Sequence, residues 1–410
     1  EVYGPHVVYN RGEKTVYVQV LRAIYGMLIA SSLWHKRFRK DLEAVKFVFN
    51  PCDPCAANRQ INDHQQTIKF HVDDLMSSHV NSEVNDDFLK WLNDMYGGYG
   101  EVKATRGKIH DYLGMRFDFS EKGKVKIDMK DYVANMLDQF PEDIKNTADN
   151  PASTDLFSEG DVNEPLDDAK KKDFHHSVAQ GIYVCKRARP DIHQVISVLC
   201  TRVKAPNKSD WKKLIRLLEY LNGTRDDYLT LSADDLRIIK WFVDAAFAVH
   251  PDFRSHTGAF MTFGRGAVIS ISRKQKINTK SSTTSELVAA DDVVDTMLWS
   301  KLFMKAQGYE VKQNIFYQDN KRAMLLENNG KKSSSKRTRV INVRYFFVTD
   351  QIAQGNVSVE YCPTDEMLSD CLTKPTQGSK FKFQSQAAMG VKSVEEILRE
   401  VRMQMGVSPD

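Results

Sequence analysis

The sequence has 410 residues, of which 41% are hydrophobic, so it exceeds one ordinary domain and supplies apolar side chains for two or three cores. Its formal net charge of +4 excludes a strongly basic or acidic chain, and any polyanion must be recognised by local patches. No stretch approaches the roughly 20 uninterrupted apolar residues of a membrane-spanning helix, and no signal-peptide pattern is found. Six dispersed cysteines favour reduced thiols, so we expect an intracellular protein that is neither secreted nor bound to a membrane.

The first part of the chain predicts a mixed sheet with helices packed on it. It begins at Glu1 without a methionine, which suggests a piece of a longer protein. Polar and apolar residues alternate in its predicted strands, and apolar residues recur at helical spacing in its predicted helices. The expected strands are Lys14–Val20, Cys55–Arg59, Thr67–His71 and Tyr112–Phe119, and the expected helices are Leu21–Leu42 and Val84–Tyr96.

Residues 134–235 are predicted to be mostly helical. Within them, Asn146–Asp168 is rich in Asp, Glu, Pro and Ser, which predicts an exposed linker. We place a domain boundary between residues 235 and 236, after a first domain over residues 1–133 and a mostly helical region over residues 134–235.

Residues 236–378 predict a third region in which three strands precede a long helix. After the long helix, the predicted elements follow in the order strand, helix, helix, strand and helix. Residues 379–410 are predicted to form a tail with a helix over Val394–Met405. The expected fold class is α/β in the α+β sense, with a five-stranded mixed sheet in this third region. Its elements are Ile238–Ala248, Gly258–Phe263, Ala267–Ser272, Thr283–Ala306, Asn314–Gln318, Lys321–Glu327, Ile341–Ala353, Val357–Tyr361 and Glu366–Leu372.

Four acidic residues of this region fall at the edges of predicted elements: Asp244, Glu286, Asp319 and Asp370. Carboxylates gathered in one place repel each other and are costly to desolvate, so a fold tolerates them chiefly when divalent cations neutralise them. Mg²⁺ prefers such oxygen ligands, and a pair of ions roughly 4 Å apart can hydrolyse a phosphodiester. A single acid at a strand end is more often a cap or turn residue, but four in this order predict a metal-dependent nuclease.

The motifs around these acids resemble the ribonuclease H domain of copia-type retroelements. The match runs in the family's order through Trp241-Phe242-Val243-Asp244-Ala245, Lys274-Gln275, Ser281-Ser282-Thr283-Thr284-Ser285-Glu286, Gln318-Asp319-Asn320 and Ser369-Asp370-Cys371-Leu372-Thr373-Lys374-Pro375. The resemblance implies that the four acids bind Mg²⁺, with Mn²⁺ as an alternative ion. The sequence departs from the family at Thr284, where an acid is usual, and at Val340 and Phe346, where histidines are often found.

Basic residues near the predicted acidic site indicate a groove for a nucleic acid. Phosphate contacts from such residues supply affinity that depends on salt and not on base sequence. A charged run is otherwise commonly a solvated loop, and this alternative stays open for the second patch. The candidate contacts are Arg273, Lys274, Lys276 and Lys280 beside the third strand, and Lys336, Arg337 and Arg339 in a serine-containing run.

In the first part, His71-Val72-Asp73-Asp74 resembles the Tyr-x-Asp-Asp turn of reverse transcriptases. The resemblance implies that Asp73 and Asp74 are metal-binding catalytic acids, and that the later motifs Arg189-Pro190-Asp191 and Tyr220-Leu221-Asn222-Gly223-Thr224 belong to a thumb and connection region. In the family, a further catalytic Asp lies on an apolar strand upstream of this turn. Residues 1–20 contain no acid in such a strand, and Leu28-Ile29 stands where the family usually has Lys-Gln. We therefore expect this chain alone not to extend a primer. Cys52 and Cys55 lack a second pair at zinc spacing and are expected to be ordinary turn residues.

Three hypotheses follow. The first is a retrotransposon Pol fragment whose ribonuclease H domain cleaves the RNA strand of RNA:DNA hybrids, attached to a reverse transcriptase remnant. Its partners are then nucleic-acid template and primer, the hybrid and the remainder of the Pol polyprotein. The second is a non-catalytic nucleic-acid-binding remnant of a decayed element, and the third is a free-standing nuclease of the same fold.

Overall fold

The computed structural model describes residues 4–19, 21, 24, 26–160, 164–330 and 342–406. The chain divides into two compact units, unit 1 over Glu1–Val102 and unit 2 over Lys103–Asp410. Both contain helices and sheets, which confirms the predicted α+β class. Within the described ranges, no helix has both the length and the apolar character needed to cross a bilayer.

Unit 1 is built around an antiparallel sheet whose strand order follows the sequence. The mixed sheet predicted for this part of the chain is therefore wrong for the described strands, since each neighbouring pair is antiparallel. The predicted strands Cys55–Arg59 and Thr67–His71 are confirmed and form an antiparallel pair, whereas the first helix begins at residue 30 and not at the predicted Leu21. Gly26 has a φ of 92°, which lies outside the helical region, so an earlier start would be interrupted there. The elements are β1 (Val7–Asn10), β2 (Glu13–Val16), α1 (Ala30–Ala44), β3 (Val48–Asn50), β4 (Asp53–Ile61), β5 (His64–His71), β6 (Asp74–Ser78) and α2 (Ser82–Tyr96).

The core of unit 1 joins one face of this sheet to both helices. Ile68 and Phe70 alternate with more exposed residues along β5, as expected for a strand with one buried face. They pack in one cluster with Phe38 and Leu42 of α1 and Phe88 of α2. Aromatic burial therefore holds the helices on the sheet.

Unit 2 contains the other described strands and α-helices. They are β7 (Ile109–Tyr112), β8 (Met115–Asp118), β9 (Lys124–Asp128), α3 (Lys130–Asp138), α4 (Asp168–Cys185), α5 (His193–Cys200), α6 (Lys208–Gly223), β10 (Leu229–Ala233), β11 (Ile238–Ala246), β12 (His256–Thr262), β13 (Gly264–Arg265), β14 (Ile269–Lys274), α7 (Ser282–Ala306), β15 (Gln313–Gln318), α8 (Lys321–Asn329), α9 (Asn342–Ala353), β16 (Ser358–Tyr361), α10 (Gly378–Ala388) and α11 (Val394–Gln404).

One sheet of unit 2 has the order β13-β10-β9-β8-β7. The predicted single strand Tyr112–Phe119 is wrong, because Leu113 and Gly114 have φ values of 51° and 69° and turn the chain between β7 and β8. This sheet includes strands from all three of the regions that we predicted as separate domains. The boundaries at residues 133, 235 and 378 stay predictions.

The second sheet of unit 2 has five strands in the order β14-β12-β11-β15-β16. β14 and β12 are antiparallel to their neighbours, whereas β11, β15 and β16 are mutually parallel, so the predicted mixed sheet is confirmed. Trp241 and Val243 pack in one cluster with residues of α7, and Phe242 packs in a second cluster. Both faces of β11 are therefore covered.

The predicted linker, the last predicted helix of the third region and the predicted helix of the tail compare with the structure in different ways. The segment Asn146–Asp168 is not a wholly exposed linker, because Ala152, Leu156 and Phe157 are buried in the main core. The helix expected over Glu366–Leu372 is two short 3-10 helices, Thr364–Glu366 and Leu368–Leu372. The helix predicted in the tail is present as α11.

Candidate metal centre

The central strand of the second sheet positions Asp244. This residue pairs in register with Gly258 of β12 and has only 1% of its surface exposed. Because successive side chains of a strand alternate between faces, Asp244 lies on the same face as Phe242, among buried residues. Water therefore cannot solvate this carboxylate well, and protein groups or a cation must stabilise its charge.

The first turns of α7 position Glu286. The helix begins after Ser281, whose hydroxyl accepts a hydrogen bond from the backbone N–H of Thr284 at 3.2 Å. The buried side-chain amide of Gln275 donates to the backbone carbonyl of Ser285 at 2.9 Å and to the Thr257 hydroxyl at 3.1 Å. Gln275 therefore fixes this end of the helix to the sheet, with Glu286 buried beside it.

Asp319 follows β15 directly and precedes α8. The side chain of Asn320 caps that helix by accepting hydrogen bonds from the N–H groups of Arg322 and Ala323 at 3.1 Å. The hydroxyl of Thr364 donates to Oδ2 of Asp319 at 3.0 Å. The half-buried carboxylate is thus held at the end of the strand.

Asp244, Glu286 and Asp319 converge in the folded chain. Each offers a carboxylate oxygen, and these oxygens lie within 4.8 Å of one another. Opposite oxygens around one Mg²⁺ stand about 4 Å apart, given metal–oxygen distances of about 2.1 Å. Oε2 of Glu286 is buried and has no hydrogen-bond partner among the described residues. The donor set and this orphaned oxygen therefore fit a divalent cation.

Asp370 is adjacent to this cluster but is engaged by two lysines. Lys374 Nζ lies 2.7 Å from Oδ1 of Asp370 and 3.3 Å from Oδ2 of Asp244. Lys380 Nζ lies 2.5 Å from Oδ2 of Asp370, whose side chain is fully buried. The structure thus brings three of the four predicted acids together and links the fourth to them through an ammonium group.

The segment after Asp370 approaches β12 closely. A Cβ on Gly258 would lie 2.9 Å from Cβ of Leu372, so this approach requires a glycine. It places the hydroxyl of Thr373 against Asp244, to whose Oδ2 it donates a hydrogen bond. The glycine at position 258 therefore allows the segment after Asp370 to come close enough to hydrogen-bond the Asp244 carboxylate.

The protonation of these acids reflects their burial. Burial raises the pKa of Asp244 to about 6, although Lys374 opposes the shift. Burial also raises the pKa of Glu286 well above its ordinary value, and Asp244 and Asp319 add to the effect. Burial acts in the same direction on Asp370, but Lys374 and Lys380 outweigh it and hold its pKa below the ordinary value. A cation would favour the ionised forms of the first two acids.

The predicted acids of the first part lie in a different setting. Val72 and Asp73 form the two-residue turn between β5 and β6, with Val72 at a φ of 56°, and Asp74 pairs with His71. Both acids are exposed. Across the described ranges, no third histidine, cysteine or acid joins them in a group suited to a metal ion.

The predicted basic contacts differ in their surroundings. Arg273 donates to the backbone carbonyl of Asp292, and Lys274 Nζ lies 2.7 Å from Oδ2 of Asp252. Lys276 and Lys280 are exposed. Lys336, Arg337, Arg339 and the variant position Val340 lie outside the described residues, as does the side chain of Phe346.

Sequence reasoning named Lys374 within a motif without giving it a role, and it missed Lys380 altogether. Lys374 follows Asp370 by four residues, a spacing that could have indicated an ion pair. Lys380 is on α10, and its contact with Asp370 depends on how that helix packs. No local pattern could have revealed it.

The fold and the carboxylate cluster define an α+β protein with a candidate metal centre, and sequence comparison places it among known proteins. No protein-family model matches the chain. It is 26% identical over 383 residues to the retrovirus-related Pol polyprotein from transposon TNT 1-94 of Nicotiana tabacum, covering 91% of this chain and 28% of that protein. It is 24% identical over 377 residues to the corresponding polyprotein from transposon RE2 of Arabidopsis thaliana, covering 89% of this chain and 24% of that protein.

A shorter relative is a putative transposon Ty5-1 protein of Saccharomyces cerevisiae, which is 23% identical over 275 residues. That match covers 66% of this chain and 86% of the yeast protein. The chain spans about a quarter of the length of the two plant polyproteins. Over about nine-tenths of its length the chain is thus similar to Pol polyproteins of retrotransposons, as expected from its resemblance to copia-type elements.

Proposed function

We propose that residues 236–378 act as a Mg²⁺-dependent ribonuclease H that cleaves the RNA strand of RNA:DNA hybrids. The observation that supports this most is the convergence of Asp244, Glu286 and Asp319 within 4.8 Å at one end of the mixed sheet. Similarity to retrotransposon Pol polyproteins supports a role in nucleic-acid metabolism as part of a larger polyprotein.

The three carboxylates would hold the cation through oxygen ligands. A bound Mg²⁺ supplies a water of lowered pKa and neutralises charge on the phosphate oxygens. The chain's own groups prepare the site. Thr373 fixes one oxygen of Asp244, Thr364 fixes one oxygen of Asp319, and the surrounding core limits access of bulk water. Oxygens held in this way need little rearrangement to bind the ion.

Selection of the RNA strand would depend on contacts with its 2′-hydroxyl groups, which DNA lacks. Lys276 and Lys280 are exposed near the ends of β14 and α7, where they are available for phosphate contacts. Arg273 and Lys274 would first have to exchange their acidic partners for phosphates. Binding should therefore weaken as the salt concentration rises.

The test is release of labelled RNA from an RNA:DNA hybrid by the full chain with Mg²⁺. Asp244→Asn should lower the rate by at least about 100-fold, because a charged ligand of the cation is lost. Asp350→Asn is the matched control, since Asp350 is an exposed acid on α9 outside the cluster. Hybrid binding without cleavage would favour a non-catalytic remnant, and cleavage of duplex DNA alone would favour a nuclease of another specificity.

For the first part of the chain we propose a reverse transcriptase remnant that does not extend a primer by itself. Asp73 lies in the turn before β6 and Asp74 begins that strand, both are exposed, and no third metal ligand accompanies them in the described ranges. Two acids alone would leave much of the charge of a phosphoryl-transfer transition state unbalanced. Template-dependent incorporation of nucleotides by this chain would contradict the proposal.

A further inference from the structure

Two ammonium groups contact Asp370, the fourth acid predicted for this centre. Lys374 Nζ lies between Asp370 and Asp244, at 2.7 Å from Oδ1 of the first and 3.3 Å from Oδ2 of the second. Lys380 Nζ lies 2.5 Å from the other oxygen of Asp370. Both oxygens of Asp370 are therefore already paired with positive charge.

From these contacts we infer that this centre binds a single divalent cation at Asp244, Glu286 and Asp319, and that Lys374 takes the place of a second ion. The inference rests on the proposed function, because it concerns the same centre. It differs from the four-acid, two-ion arrangement that the family resemblance implies.

Formal charge supports one ion. When all four carboxylates are ionised, as a bound cation favours, they and the two ammonium groups leave two negative charges, which one divalent cation neutralises. A second divalent cation would leave excess positive charge in a largely buried site, where such charge is costly. With both lysines removed, the four carboxylates would instead balance two such ions.

Geometry supports the same conclusion. Two ions in one centre lie roughly 4 Å apart and need carboxylates that reach both of them. Asp370 is fully buried, and its oxygens face ammonium groups on both sides. Oδ2 of Asp244 already accepts a hydrogen bond from Thr373. Oε2 of Glu286 and Oδ2 of Asp370 are both buried without a hydrogen-bond partner in the described part of the chain, but Oδ2 of Asp370 is ion-paired with Lys380, whereas no ion pair is found for Glu286 there.

Lys374 is held in place by its own backbone. Its N–H donates to the carbonyl of Asp370 at 2.7 Å, and the side chain returns to the carboxylate of the same residue. Lys380 approaches independently from α10. The ammonium groups are thus fixed by two separate elements, and we expect them to act as permanent positive charges of the centre.

The experiment counts Mn²⁺ ions bound to the purified full chain by electron paramagnetic resonance and calorimetry. Wild type should bind one ion at the centre, identified by its loss in Asp244→Asn. The double variant Lys374→Met with Lys380→Met should bind two. Lys382→Met, which removes another lysine of α10, and Lys374→Arg, which keeps the charge, should both bind one. Circular dichroism identifies variants that fail to fold.

Two ions at the wild-type centre, or a folded double variant that still binds one, would overturn the inference. Hybrid cleavage with two bound ions would refute the lysine role and leave the proposed nuclease intact. One bound ion without cleavage of any hybrid would refute the nuclease and leave the lysine role intact. Absence of bound Mn²⁺ would refute both.

Discussion

The phenol of Tyr220 donates a hydrogen bond of 2.7 Å to Oδ2 of Asp191, across 29 residues of sequence. The same carboxylate receives the guanidinium of Arg189, and both side chains of this ion pair are almost fully buried. Arg189 also donates to the backbone carbonyl and the hydroxyl of Thr224. The two motifs that resembled thumb and connection sequences therefore meet in one polar network within the core of unit 2.

We expect Asp191→Ala to destabilise unit 2 by about 3–5 kcal/mol, because it leaves the Arg189 guanidinium buried without its partner. Tyr220→Phe removes one hydrogen bond to a charged group and should cost about 1.5–3 kcal/mol. Urea unfolding followed by tryptophan fluorescence measures both effects. Arg399→Gln breaks an exposed pair on α11 and should stay close to wild type. Equal unfolding midpoints for Asp191→Ala and Arg399→Gln would contradict this account.

Three buried histidines should make unit 2 sensitive to acid. His250 and His256 are 3.0 Å apart between ring nitrogens, and His193 contacts the Ser270 hydroxyl at 2.9 Å. Burial lowers the pKa of His193 to about 3 and that of His250 to about 4, and it lowers the pKa of His256 well below its ordinary value. These imidazoles are neutral in the folded chain at neutral pH.

Because the folded pKa values are depressed, the unfolded chain takes up more protons as the pH falls below about 6.5. The stability contribution is thus present above that pH and is lost progressively towards pH 4 and below. His193→Gln should reduce the number of protons taken up on unfolding by about one, measured as the slope of unfolding free energy against pH. His64→Gln changes an exposed histidine and should leave the slope unchanged. An unchanged slope in His193→Gln would exclude this explanation.

The contribution of Glu327 of α8 to stability should depend on pH in the opposite direction from that of the buried histidines. It is fully buried, and neither carboxylate oxygen has a hydrogen-bond partner in the described ranges. Burial raises its pKa to about 8. The folded chain therefore holds this proton more tightly than the unfolded chain, and stability is lost as the pH rises from about 4.5 to about 8.

Glu327→Gln should abolish that loss, which amounts to a few kcal/mol, on the order of the pKa difference converted to free energy. The measurement is the free energy of unfolding between about pH 4 and about pH 9, an interval that brackets the expected window. Glu310→Gln alters an exposed glutamate and serves as the control. Parallel pH profiles for wild type and Glu327→Gln would show that the buried carboxyl does not titrate as expected.

Local patterns predicted the strand that contains Asp244, the strand that ends just before Asp319 and the helix that contains Glu286, since each depends on alternation or helical spacing. They did not predict that Leu113 and Gly114 divide a strand, because the alternation continues through a turn of only two residues. Nor could they predict that Leu156 and Phe157 are buried, since polar neighbours dominate that segment. Lys380 reaches Asp370 only through the packing of α10, which no single segment encodes.

Thr373 should control the affinity of the centre for its cation without contacting the ion. Its fully buried hydroxyl donates to Oδ2 of Asp244 and so fixes the orientation of that carboxylate. Thr373→Val keeps the shape of the side chain but removes the hydroxyl, and it should weaken Mn²⁺ binding by about 10–100-fold, as loss of a group that orients a metal ligand typically does. Thr373→Ser retains the donor and should bind Mn²⁺ nearly as wild type. Calorimetric titration of both variants distinguishes loss of the hydrogen bond from altered packing, because equal weakening in Val and Ser would assign the effect to packing alone.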